Sequence, residues 1–170
     1  VEAGRLGARC GAQSFCFHAG FYGKLGPQEA GERVLDGLRA VTGELRTRGA
    51  GIDVRTELTG KATQAGSLDE VLAWSAAVPG VQPCIDFSHH YARGGGAANH
   101  YDDFRAMIEH VRARLGAEAI AGLHVHLSGI VYGPAGERHH LPLAKSRFRW
   151  REALRAVRDA GAGGWVIGES

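Results

Sequence analysis

Residues 81–90 read VQPCIDFSHH: a short apolar run that ends on a carboxylate, Asp86, with an imidazole, His89, three residues further on. A short apolar run bounded by turn-forming residues is the pattern of a buried strand, so Asp86 and His89 stand where such a strand ends. The same arrangement recurs on either side. SFCFH (14–18) ends on His18, IDVRTE (52–57) on Glu57 and WVIGE (165–169) on Glu169, while HVHL (124–127) carries His126. Along His18, Glu57, Asp86, His126 and Glu169 the successive gaps are 39, 29, 40 and 43 residues. Each is about the length of a strand, a helix and two loops, since a barrel of ~250 residues with eight units gives roughly 31 per unit. Metal-ligand residues at the same end of every strand are the signature of a metal site at the mouth of a β/α barrel.

Amphipathic stretches fill the gaps. Glu29 to Arg48 places Val34, Leu35, Leu38, Val41 and Leu45 on one helical face. Ser67 precedes Leu68, Asp69 and Glu70 in a capping-box arrangement that opens a second helix. A third carries Phe104, Met107, Ile108, Val111 and Leu115, and a fourth carries Trp150, Ala153, Leu154 and Val157. Between them, 87–100 (FSHHYARGGGAANH) reads as a loop, the fourth strand as starting at Ile120, and the segment after it as a long polar loop. Five strands alternating with four helices predict a parallel sheet, because parallel neighbours need helical crossovers. The expected fold is α/β: one domain over residues 1–170, a partial (β/α)8 TIM barrel lacking roughly its first three strands and last helix. An open doubly wound sheet fits the length, but it gathers its ligands at one switch point and not at every strand.

Composition narrows the class. The chain is 44% hydrophobic and 22% charged with a net charge of +2, ordinary for a globular domain and too weak a charge to demand a polyanion. No run approaches the ~18 apolar residues of a membrane span, and the first residues show no apolar signal core; the expected location is the cytoplasm, without a membrane partner. Cys10, Cys16 and Cys84 form no CxxC pair, and they read as small core residues.

Glu57, Asp86, His126 and Glu169 offer three carboxylates and one imidazole, a hard site suited to Zn²⁺, Mn²⁺ or Mg²⁺. His18 and His89 add imidazoles on either side. The loop segment Glu137, Arg138, His139, His140 adds further ligands, enough for more than one metal. Such a cluster activates water and neutralises charge on a phosphoryl oxygen. Each residue has a plainer alternative: Asp86 as a helix cap, Glu57 or Glu169 as half of an ion pair, His124 as a core residue beneath His126.

FHAGFYGK, RTELTGK, CIDFSHHYARGGG, HVHLSGI with GERHHLPL, and VIGES resemble, in order, successive blocks of the endonuclease IV family (family 2 apurinic/apyrimidinic endonucleases) of xylose isomerase-like barrels, in its archaeal-type form. The resemblance covers essentially the whole chain, as the last two-thirds of the family barrel. It implies a hydrolase that nicks damaged double-stranded DNA on the 5′ side of an abasic site with up to three zinc ions, monomeric at full length. His18 would bind the first zinc and Glu57 would bridge the first and second. Asp86, His126 and Glu169 would complete the second, and His89 the third, with help from Glu137 and either His139 or His140. Bacterial members carry an aspartate two residues before a histidine where this chain has Glu137 and His139. A further first-zinc histidine of the family would lie before residue 1, so the chain alone is not expected to be active.

On this reading Glu57 and Glu169 flank the attacking water, and Lys61, Arg93, Arg138 and Lys145 contact DNA phosphates. The rival reading is a divalent-metal sugar isomerase or epimerase of the same superfamily, which needs the Glu, Asp, His, Glu quartet but not His18 or the HH pair. A third is a non-catalytic metal-binding barrel fragment.

Overall fold

The computed structural model describes residues 1–169. Its centre is a five-stranded, wholly parallel sheet of β1 (Ser14–Phe17), β2 (Asp53–Glu57), β3 (Val81–Asp86), β4 (His124–Leu127) and β7 (Trp165–Gly168). The strands lie side by side in chain order, β1-β2-β3-β4-β7. That order never reverses, so the sheet has no switch point and the doubly wound alternative is excluded. The five strands form half of a β/α barrel.

The crossover helices are α2 (Pro27–Thr47), α3 (Leu68–Ala77), α5 (Tyr101–Leu115) and α7 (Trp150–Asp159), preceded by α1 (Glu2–Arg9) and supplemented by the short α4 (Phe87–Arg93) and α6 (Ala117–Ala121). Their ends follow local chemistry. Pro27 opens α2 at a position where its missing N–H costs nothing. Ser67 caps α3: its Oγ accepts from the Glu70 N–H while Glu70 accepts from the Ser67 N–H. Val54, Val81, Ile85 and Val125 turn toward these helices and are fully buried against Val71, Leu72, Phe104, Ile108 and Val111. Phe104 stands edge-on to both Phe87 and Phe148, at 5.5 and 5.7 Å between ring centroids; each such buried side chain contributes about 1.5–3 kcal/mol.

The opposite face of the sheet is polar. Alternation along the strands puts Arg55 and Glu57 of β2, Cys84 and Asp86 of β3, and His124 and His126 of β4 on it, all buried. This concave layer holds the candidate ligands Glu57, Asp86 and His126. No described helix is long and apolar enough to cross a membrane.

The structure corrects three segments of the sequence reading. FSHHYAR is not a loop but α4, capped by Asp86. Ile120 belongs to α6, and the fourth strand starts at His124. The expected polar loop after it is an antiparallel hairpin, β5 (Gly129–Gly133) with β6 (Gly136–Leu141). Of the cysteines, Cys10 is exposed and not a core residue.

Candidate metal centre

Glu57 is the hub. Its Oε1 lies 3.1 Å from His126 Nδ1 and 3.4 Å from His89 Nδ1, and its Oε2 lies 3.5 Å from His18 Nε2. Glu169 Oε1 approaches the same His126 Nδ1 at 3.2 Å. Donor atoms fall into groups whose members all lie within 4.8 Å of one another: Glu57, Asp86, His126 and Glu169; His18, Glu57 and His89; and His89, Glu137 and His140. The quartet, the flanking histidines and the loop ligands foreseen from the sequence therefore meet at one mouth, with the exception of His139.

Asp86 caps a helix with one oxygen and turns the other into the site. Oδ1 caps α4, accepting from the His89 N–H at 2.8 Å and from the Ser88 hydroxyl. Oδ2 is fully buried and has no hydrogen-bond partner. Its one charged partner among the described residues is His89 Nδ1 at 3.3 Å; a buried carboxylate oxygen without a hydrogen bond, facing two further carboxylates, is costly unless a cation joins it, so the residues fit a divalent metal. Ser88 also meets Ser128 Oγ at 3.1 Å, a support that Ser128 signals in the sequence by standing two residues after His126.

The electrostatics agree. Burial favours a neutral Glu57, yet hydrogen bonds from His126, His18 and His89 hold its carboxyl far below the usual range. Burial raises Asp86 and Glu169, and the Glu57 charge adds to both. Burial would lower His89, but its hydrogen bond with Glu57 and the charges of Asp86 and Glu137 outweigh it and raise the ring to about 9. The His89 Nδ1–H faces the Leu58 carbonyl at 3.0 Å, which turns Nε2 toward Glu137 Oε2 at 3.5 Å and His140 Nε2 at 3.4 Å. A carbonyl on one ring nitrogen is the usual way to fix the tautomer of a ligating histidine.

The hairpin delivers Glu137 and His140 because β6 carries a bulge. Tyr132 pairs with Glu137 and Val131 with His139, so Arg138 is the extra residue. A bulge shifts side-chain parity by one, which puts Glu137 and His140 on the site face and His139, exposed, on the other. Of the two histidines left open by the sequence, the structure brings His140 to the cluster and turns His139 away. The hairpin tip reaches β2 because Gly60 and Gly136 meet there: a Cβ on Gly60 would lie 2.6 Å from Glu137 Cβ, and one on Gly136 2.3 Å from Gly60 O.

His124 lies beneath His126, Nε2 to Nε2 at 3.1 Å, and burial with the nearby Arg55 charge lowers it to about 4. Arg55 donates to the carbonyls of Pro83 and Gly122, not to Glu57. Arg93 is likewise committed inward: it donates to Thr59 Oγ1 and to the carbonyls of Thr59, Lys61 and Gln64, with Tyr22 Oη at 3.4 Å. The bonds to the 59–64 segment all leave from Nη1, so this guanidinium organises the loop after β2. Lys61, Arg138 and Lys145 enter no ion pair among the described residues, and the last two are exposed. The sequence reading overlooked Tyr22, whose hydroxyl binds Glu70 at 2.8 Å and ties the loop carrying His18 to α3.

A metal-free site holds a proton on His89 near neutrality, because the folded ring titrates near 9 instead of 6.5. The stability this proton contributes is complete below the ordinary pKa and is lost as pH rises toward 9. A cation must displace it. Zinc added to metal-free protein near neutral pH is therefore expected to release protons into a weakly buffered indicator, and His89→Ala to release about one fewer; equal release by both would remove His89 from the ligand set.

Known proteins resemble this chain as follows. It is 40% identical, over all 170 of its residues, to the uncharacterized protein MJ0133 of Methanocaldococcus jannaschii, of which it covers 62%. Among solved structures it resembles the 3-keto-D-glucoside 4-epimerase YcjR of E. coli at a TM-score of 0.68 and 15% identity, over 98% of this chain and 60% of that one. It also resembles a family 2 AP endonuclease of Brucella melitensis at a TM-score of 0.60 and 15% identity, over 98% and 61%. The chain thus spans about three-fifths of the length of the proteins it matches, and the two structural likenesses speak for the fold alone. The family described as xylose isomerase-like TIM barrel matches residues 2–170, and this chain belongs to it.

Proposed function

We propose that the full-length protein containing this chain is a multinuclear metal-dependent phosphodiesterase that nicks double-stranded DNA on the 5′ side of abasic sites. The observation that carries this reading is the third donor group. A sugar isomerase of this fold needs Glu57, Asp86, His126 and Glu169 for one cation, and can share His89 as well; it does not need His18, nor Glu137 and His140 brought within 4.8 Å of His89 beside that quartet. Two and three sites at one mouth suit a phosphate ester, whose attacking and leaving oxygens both need charge neutralised.

Bound divalent cations, with zinc the best match to mixed imidazole and carboxylate donors, would supply Lewis-acid polarisation and activation of water. The chain's own residues do the rest. Glu57 stays ionised and holds His18, His89 and His126 in place around it. Glu169, raised by burial and 30% exposed at its side chain, takes the proton of the attacking water at Oε1. Lys61, Arg138 and Lys145 meet the DNA backbone, which makes binding salt-sensitive.

Two assays on the longest natural version of the chain separate the readings. Nicking of an abasic duplex with no turnover of keto sugars supports the nuclease; sugar epimerisation without nicking overturns it. Replacing Lys61 or Arg138 by Ala is expected to reduce the slope of log affinity against log salt by about 1 each. Arg93→Gln is expected to lower the melting temperature, because it removes the Nη1 bonds that hold the loop after β2.

A further inference from the structure

Two thiols lie in the concave layer, and the proposed hydrolysis uses neither. Cys16 of β1 is in register with Arg55, and Cys84 of β3 with Glu57, so both point to the polar face. Cys84 is fully buried and Cys16 half-buried. Cys16 Sγ lies 3.5 Å from Glu57 Oε2. Both sulfurs, a Glu57 oxygen and a His126 nitrogen all fall within 4.8 Å of one another.

A disulfide does not explain the pair. β1 and β3 flank β2, and strands two apart stand about 10 Å from each other, beyond the ~7 Å Cα separation a disulfide tolerates. Two thiols, a carboxylate and an imidazole at this spacing suit a single tetrahedral cation instead: metal–sulfur bonds of about 2.3 Å and metal–nitrogen bonds of about 2.0 Å place four donors within about 4 Å of one another. Thiolates select soft ions, whereas the quartet above is dominated by hard oxygen.

We propose that Cys16, Cys84, Glu57 and His126 form a further cation site, for a thiophilic divalent ion such as Cd²⁺. Each sulfur–metal bond forms as the thiol proton leaves to solvent, two protons per ion, with no change of oxidation state. Glu57 and His126 belong to both donor sets, so an ion held here withdraws two ligands from the quartet. The inference holds whichever reaction the mouth performs.

The test is titration of the metal-free chain with Cd²⁺ alone, following thiolate-to-cadmium charge-transfer absorption. A band saturating at one ion per chain is expected, weakened in Cys16→Ser and in Cys84→Ser and unchanged in Cys10→Ser. A second measurement needs no variant to fold: alkylation of the wild-type chain, mapped by peptide mass. Cd²⁺ is expected to slow modification of Cys16 by roughly tenfold, since the metal-held thiolate is no longer nucleophilic, and to leave the exposed Cys10 unaffected. Absence of the band, a band lost in Cys10→Ser, or equal alkylation of Cys16 with and without Cd²⁺ overturns the site.

Discussion

Glu57→Gln is expected to reduce abasic-site nicking by about 10³-fold in the longest natural version of the chain, the upper end of what losing a preorganised electrostatic group at a reacting centre costs. The substitution keeps the shape and removes the charge. Glu57 is 6% exposed and contacts His18, His89 and His126 through its two oxygens, so an amide there withdraws the anion that all three imidazoles face. Those histidines then lose the partner that keeps them oriented, and bound metal is expected to fall together with turnover. Far-UV circular dichroism separates this from misfolding, because Gln fits the same volume. Nicking within about tenfold of wild type, a loss of only ~1.4 kcal/mol in transition-state stabilisation, would sink Glu57 as the hub.

The second large effect is a contrast between neighbours. His140→Ala is expected to remove one zinc per chain and to lower nicking by about 100-fold, the upper end of what loss of a metal-supporting partner costs. His139→Ala is expected to stay within about twofold of wild type. The physical reason is the bulge at Arg138, which puts only one of the two adjacent imidazoles beside His89 and Glu137. Elemental analysis and a nicking assay on the two variants decide it. Equal losses would mean that the hairpin register differs in the metal-bound protein, and no loss in either would leave a single-cation site and favour the isomerase reading.

The strand ends were legible because short segments rich in apolar and β-branched residues run up to His18, Glu57, Asp86 and Glu169, and because HVHL carries His126 near its end. The in-order half-barrel followed from alternation of strand and helix. What stayed illegible has local causes. The seven residues of α4 are too few for a helical period to show, and they run into glycines at 94–96. The hairpin was hidden because Arg138 and His139 face solvent and β6 lacks an apolar side; GPAG at 133–136 was its one turn signal. No residue type announces a bulge, so the choice between His139 and His140 rested on register that only three dimensions supply. The loop-holding role of Arg93 was hidden because its partners, the carbonyls of residues 59–64, lie some thirty positions away.

The most direct test of a multinuclear site is elemental analysis of the longest natural version of the chain, purified without added metal. The donor groups predict two to three zinc ions per chain, falling by one in His140→Ala. A single manganese or magnesium ion per chain, unchanged in His140→Ala, would contradict the multinuclear site and with it the proposed hydrolysis.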